Sequence, residues 1–146
     1  MIPDNENYED FDEEDEEDDI AEEFDIEMKS SLTYAMNLDR GVFVGKVDDV
    51  EAVRQAAMKI LNTERYEHEI YSWDYGVELQ DLYGKPIPYV MSEVKQRVVE
   101  ALTADDRIES VDDFTVRRTG KHTLHLAFTV TTVQEDEFEM ESEVEL

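Results

Sequence analysis

The sequence predicts a small α+β domain: a small antiparallel or mixed sheet, built from an N-terminal and a C-terminal hairpin, with two main amphipathic helices and flanking acidic arms. Three observations carry this. Apolar residues alternate with period two near both ends of the central region and recur at helical spacing between them. Turn residues separate these stretches. The charge, finally, is segregated along the chain. The 146 residues hold 40 acidic and 13 basic side chains, a net charge of −27. Of this, −16 falls on residues 1–28, −4 on 29–133 and −7 on 134–146. A nearly balanced domain over 30–133 is therefore flanked by an acidic arm over 1–29 and an acidic, alternating strand or arm over 134–146. About 105 balanced residues suffice to bury one small core.

The first arm contains eight consecutive carboxylates, Asp12 to Asp19, whose mutual repulsion extends the chain. Tyr8, Phe11, Ile20, Phe24, Ile26 and Met28 punctuate it. Two readings stand, a solvating tail or a docking segment anchored by these hydrophobes.

From Leu32 the period becomes two. Leu32, Tyr34, Met36 and Leu38 share one face of a half-buried strand, Asp39-Arg40-Gly41 turns the chain, and Val42-Phe43-Val44 returns as the second strand of a hairpin. Asp48 with Glu51 has the spacing of a capping box and opens a helix over 49–62, whose apolar stripe is Val50, Val53, Ala57, Ile60 and Leu61. The aromatic-rich stretch that follows predicts a short strand over 70–73, a turn at Gly76 and a short helix over 77–83. Pro88 suits the first turn of a second long helix, striped by Ile87, Met91, Val94, Val98, Ala101 and Leu102, with Glu93 and Arg97 paired on its exposed side. Two strands then span 108–118, broken at Asp112-Asp113, and 121–133, where Leu124, Leu126, Phe128 and Val130 share a face.

In the last segment Phe138, Met140, Val144 and Leu146 alternate with Glu139, Glu141, Glu143 and Glu145, Ser142 filling the gap. A disordered tail has no reason to alternate. The pattern fits a strand whose apolar side is covered and whose edges need a partner, either the domain's own sheet or another chain.

Several functional classes are disfavoured. The chain lacks the basic footprint that binds phosphate backbones or anionic membranes. It has no cysteine, which removes disulfides, thiolate chemistry and cysteine-ligated metals. Neither a signal peptide nor a transmembrane run is expected, so the reading is a soluble protein of the cytoplasm. Carboxylates are too numerous for any pair to be diagnostic of glycoside cleavage. His122 and His125, three apart on a strand, point to opposite faces and cannot chelate one metal together. No nucleophile or phosphate-loop motif occurs, and the reading is not an enzyme, with no cofactor and no metal.

Two charged clusters are more specific. Thr63-Glu64-Arg65 follows the first helix and Asp105-Asp106-Arg107 follows the second. Each arginine is placed either to cap helical carbonyls or to grip a carboxylate bidentately, within the fold or across an interface.

These same residues carry a resemblance. Ile60-Leu-Asn-Thr-Glu-Arg-Tyr, then Trp73-Asp-Tyr-Gly-Val-Glu-Leu79, then a helix ending at Asp105-Asp-Arg-Ile, resembles the baseplate wedge and sheath-initiator family of contractile phage tails, in particular the tail proteins of PBSX-type defective prophages. Thr63, Glu64, Arg65, Tyr75, Gly76 and Leu79 match the first part of the family pattern, and Asp105-Asp106-Arg107-Ile108 matches its Glu-Pro-Arg-Ile. Asp106 stands where the family has proline, and the Glu-Arg pair lacks its preceding glycine. The resemblance covers residues 32–133 and neither arm. It implies a structural protein that joins the baseplate wedge to the first sheath ring and templates sheath assembly by strand exchange. The implied partners are sheath subunits, wedge proteins, the tail tube or hub, and like copies in a ring around a six-fold tail. It implies assembly in the host bacterial cytoplasm and residence in the tail baseplate, with Arg107 holding the wedge. The partner-binding residues expected are therefore Glu64, Arg65, Tyr75, Gly76, Asp105, Asp106, Arg107, Phe138, Met140, Val144 and Leu146. The alternative is an acidic decoy that mimics DNA towards a basic nucleic-acid-binding partner, for which the carboxylate runs stand in as a phosphate ladder.

Overall fold

The computed structural model describes residues 30–146; the expectations for the hydrophobes of the first arm lie outside them. Strand β1 (Thr33–Asn37) and β2 (Val42–Val47) form a hairpin, followed by helix α1 (Asp49–Leu61), a short 3-10 turn (Gln80–Leu82) and helix α2 (Ile87–Thr103). Strands β3 (Ile108–Arg118), β4 (Thr123–Thr132) and β5 (Glu137–Glu145) complete the chain. The architecture is α+β, with two antiparallel sheets, β1-β2 and β3-β4-β5, and β4 central in the second.

The core is one cluster. Val53, Ala57 and Ile60 of α1 and Val90, Val94, Val98, Ala101 and Leu102 of α2 pack with Leu124, Leu126, Phe128 and Val130 of β4. Val90, rather than Ile87 or Met91, is the fully buried residue in the first turns of α2. Pro88 occupies the opening turn, where no helical donor is lost.

The C-terminal acidic segment closes this core. Strand β5 pairs with β4 along its whole length, setting Phe138 against Val130, Met140 against Phe128 and Val144 against Leu124. Ser142, the gap in the alternation, lies opposite Leu126. The partner left open by the sequence is thus the chain's own sheet, and Phe138, Met140 and Val144 are buried. Arg54 of α1 lies over the Phe138 ring at 4.7 Å and donates to the Glu139 carbonyl at 3.1 Å, fastening helix to strand. The glutamates between these residues stay exposed.

Elsewhere the structure departs from the sequence pattern. The strand expected over 70–73 is a run of turns, with Tyr71 N–H donating to His68 and Tyr75 N–H to Ser72. Ile70 is 87% exposed, and no neighbouring strand offers hydrogen bonds. The short helix over 77–83 contracts to a single 3-10 turn because Val77 bonds sideways, in a parallel bridge with Glu64. The capping box is also incomplete. Asp48 accepts from Asp49 N–H, while Glu51 turns to Arg54 at 3.5 Å. The break in β3 is real: the register shifts between Asp112 and Thr115, and Asp113 adopts φ +50.

The hairpin breaks its expected burial most clearly. Leu32, Tyr34 and Leu38 are exposed rather than half-buried, as are Val42, Phe43 and Val44. It meets α1 through β1.

Candidate functional site

The Glu64-Arg65 pair and Gly76 form one internal knot. The Glu64 carboxylate accepts from the backbone N–H groups of Leu79 and Gln80 at 3.0 Å, satisfying donors where the 3-10 turn begins. Arg65 donates through Nε to the Gly76 carbonyl at 3.2 Å and through Nη1 to Glu100 of α2 at 3.0 Å. Burial opposes the Arg65 charge, but the Glu100 bond and its field outweigh it and raise the guanidinium pKa. Gly76 has φ +94, and a Cβ there would lie 2.6 Å from the Thr63 carbonyl oxygen. Glycine is required by both conformation and space. Arg97, which the sequence placed on an exposed face, adds a further tie: it bonds the Asp81 carboxylate and the Glu78 carbonyl.

Arg107 makes a second, local clamp. Its Nε donates to Asp105 Oδ1 at 2.9 Å and its Nη2 to Oδ2 at 2.6 Å, while its backbone N–H also reaches Oδ1. Burial pushes the Asp105 carboxyl up, yet these bonds and the positive charge outweigh it and hold the group below the usual carboxylate range. Neither arginine caps a helix. The last carbonyls of α1 are met by Asn62 and Thr63, and those of α2 by Thr103 and the Asp105 N–H. Of the two readings of Arg107, the bidentate carboxylate grip is the one formed, and it lies within the fold.

The two motifs meet in space. Tyr75, Gly76 and Asp105 line one small cleft with Ile60 and Ala101. Tyr75 stacks on Tyr71 at 4.4 Å, and burial, first, then the Tyr71 and Asp105 charges raise its phenol pKa. The loop that gives Tyr75 and Gly76 to this cleft also carries exposed Tyr66, Ile70 and Trp73, which the sequence reading does not count among the partner-binding residues. For Tyr66 and Trp73 residue type was the available signal, since Trp and Tyr are enriched among the side chains that anchor interfaces. Asp106 is exposed, and Arg107 keeps Nη1 without a hydrogen bond among the described residues. Phe138, Met140 and Val144 lie elsewhere, inside the core, with Leu146 packed partly against it.

The second candidate surface is the hairpin. Tyr34 meets Phe43 edge-on at 6.5 Å, and Lys46 lies 5.8 Å from the Tyr34 ring, so these three share a face. One edge of the hairpin is closed. Gln55 of α1 accepts from Met36 N–H and donates to the Tyr34 carbonyl, both at 2.8 Å, as a neighbouring strand would. The opposite edge, along β2, meets no strand among the described residues.

No helix among these residues is long and apolar enough to cross a membrane. Residues 32–135 match the family model described as contractile injection system sheath initiator. A curated relative, the phage-like element PBSX protein XkdS of Bacillus subtilis strain 168, is 36% identical over 117 residues, covering 74% of this chain and 82% of its own. A solved structure, described as a putative tail lysozyme from Geobacter sulfurreducens, superposes with a TM-score of 0.56 at 22% identity, over 66% of this chain and 89% of that one. That likeness is one of fold.

Proposed function

Because this chain belongs to the contractile injection system sheath initiator family, structural components of phage-type tails, we propose that it joins the baseplate wedge to the first sheath ring and templates sheath assembly by strand exchange at its N-terminal hairpin. One observation carries the reading: an isolated two-stranded sheet with one edge closed by Gln55, the other open, and both faces rich in exposed apolar side chains. A lone hairpin is marginal in water, and a third strand supplies the missing hydrogen bonds. The partner strand comes from a sheath subunit.

The wedge-facing surface is the cleft region. Asp105 fixes the Arg107 plane through Nε and Nη2 and the Asp106 carboxylate is exposed, while Trp73 and Ile70, exposed on the loop that carries Tyr75, supply apolar anchors. Glu64, Arg65 and Gly76 act one step back, by holding the loop that presents these side chains. In the particle, copies sit in a ring around the tube, assembled in the bacterial cytoplasm and retained in the baseplate. Head-to-tail contacts of such a ring close only at the correct rotation.

The test is sheath assembly on baseplates carrying Phe43→Ser with Val44→Ser. Baseplates that form normally but bear no sheath are expected. Normal sheaths on those particles would overturn the assignment of the hairpin as the template.

A further inference from the structure

The cleft that Tyr75 and Asp105 share lies where the ends of α1 and α2 meet the loop between them, and Ser72, Asp74 and Ala104 complete its lining. Burial orders it from floor to mouth. Ile60, Gly76 and Ala101 are buried, Asp74, Tyr75 and Asp105 are half-buried, and Ser72 and Ala104 are exposed. The inner end is therefore hydrocarbon and the outer end polar. Its volume is about 100 Å³. A cavity that holds a benzene ring has about 150 Å³, and small-molecule sites begin at about 300 Å³. The space fits one unbranched side chain, and neither an aromatic ring nor a metabolite.

Charge narrows the occupant further. Two carboxylates line the cleft and, among the described residues, no cationic side chain does. The Ser72 hydroxyl, the largest influence on Asp74, holds its carboxyl below the usual range, and Asp105 is held low as well, so both are anionic at neutral pH. Arg107 grips Asp105 without joining the lining: Nε and the backbone N–H take Oδ1, and Nη2 takes Oδ2. A carboxylate offers about four acceptor positions, so one remains on Oδ2. A methionine entering here would strip water from these anions and return no hydrogen bond. An arginine needs a free bidentate carboxylate edge, and Arg107 already occupies that of Asp105. Lysine suits both ends. Its methylenes match Ile60, Ala101 and the Tyr75 ring, and its ammonium matches the carboxylates at the mouth.

We propose that this cleft receives a single lysine side chain from the protein that docks on the loop carrying Ile70 and Trp73. The exposed apolar pair supplies contact area, and the lysine fixes the register, since only one side chain fits. That the docking protein is a wedge subunit rests on the function proposed above; the selectivity of the cleft for lysine does not.

Titration of the full-length chain, followed by NMR at the Ala101 and Ala104 methyls, tests it. The probes are N-acetyl-lysine N-methylamide and its norleucine counterpart, which keeps the four-carbon stem and drops the charge. Saturable shifts are expected with the lysine probe, at an affinity about fivefold above that of norleucine. Asp74→Asn should remove most of that difference. Equal affinities for the two probes, or an Asp74→Asn variant that still discriminates fully, overturn the anionic mouth. Absence of saturable shifts with either probe overturns the cleft as a binding site. Ala104→Leu, at the exposed end of α2, fills the mouth from within the chain. With an unchanged Tm it is expected to abolish lysine binding and to weaken incorporation into baseplates. Loss of lysine binding with normal incorporation overturns the docking role of the lysine. If the lysine probe binds while wedge protein binds neither chain, the cleft stands and the wedge assignment falls.

Discussion

Both sheets of this chain are antiparallel and both are written in alternating residues, but they treat their apolar faces oppositely. In β4 the alternate positions Leu124, Leu126, Phe128 and Val130 are at most 3% exposed, covered by two helices. In the hairpin, Tyr34 is 64% exposed and Phe43 71%. The larger sheet is complete within the chain, down to the Arg54 guanidinium that fastens its last strand. The smaller sheet is held at one edge by a single glutamine side chain and offers the rest outward. Alternation alone therefore marks a strand and says nothing about what covers it. A sheet covered within the fold and a sheet left exposed are written alike.

Substitutions can sharpen this contrast. The largest effect is expected from deleting 134–146, because removing β5 bares one side of β4 and takes three buried side chains from the core. Circular dichroism should show loss of cooperative melting. A folded truncation would instead make the segment a detachable arm. Within the intact sheet, Leu126→Ala should cost about 2–5 kcal/mol in denaturant unfolding.

Gly76→Ala comes next. The positive φ and the 2.6 Å approach to the Thr63 carbonyl predict a loss of about 1–3 kcal/mol, read as a lowered Tm. A neutral outcome would mean that the knot between Glu64, Arg65 and the loop rearranges freely.

Asp105→Asn should cost less, about 1 kcal/mol, since the Arg107 side chain is 34% exposed and water screens the pair. Here pH gives a signature. The folded Asp105 pKa lies below its ordinary value of 3.8, so its stabilisation is fully present above that value and is lost as pH falls through the depressed one. The native chain should lose stability in that acid window more steeply than the variant, in melts recorded at successive pH values.

The smallest effect on stability, within about 0.5 kcal/mol, is expected for Tyr34→Ser with Phe43→Ser, since both side chains already face water. The same double variant should still be strongly impaired in assembly. A large drop in Tm would show that the hairpin belongs to the fold as the core sheet does.

Much was legible beforehand. The two helices and both hairpins follow from period, turn residues and Pro88, and they appear within a few residues of their expected bounds. The stretch between the helices was not legible, because its order comes from side chains reaching backbone. Glu64 holds Leu79 and Gln80, Arg65 holds Gly76, and Arg97 holds the Asp81 turn, none of which leaves a periodic trace. Of the candidate site, Arg107 and Asp105 were found by motif, but Trp73, Ile70 and Gln55 were not.

The sequence by itself determined the two long helices and the alternating strands, the family pattern and the separation of charge into arms, since these depend on local spacing and composition. Only the tertiary structure decided that the C-terminal acidic segment closes the chain's own core while the N-terminal hairpin does not. The physical reason is area. Two helices cover one face of one sheet, and β5 competes successfully for the edge of β4 because three of its side chains complete that buried layer. The hairpin finds no second cover within the described chain, and its apolar side chains stay exposed.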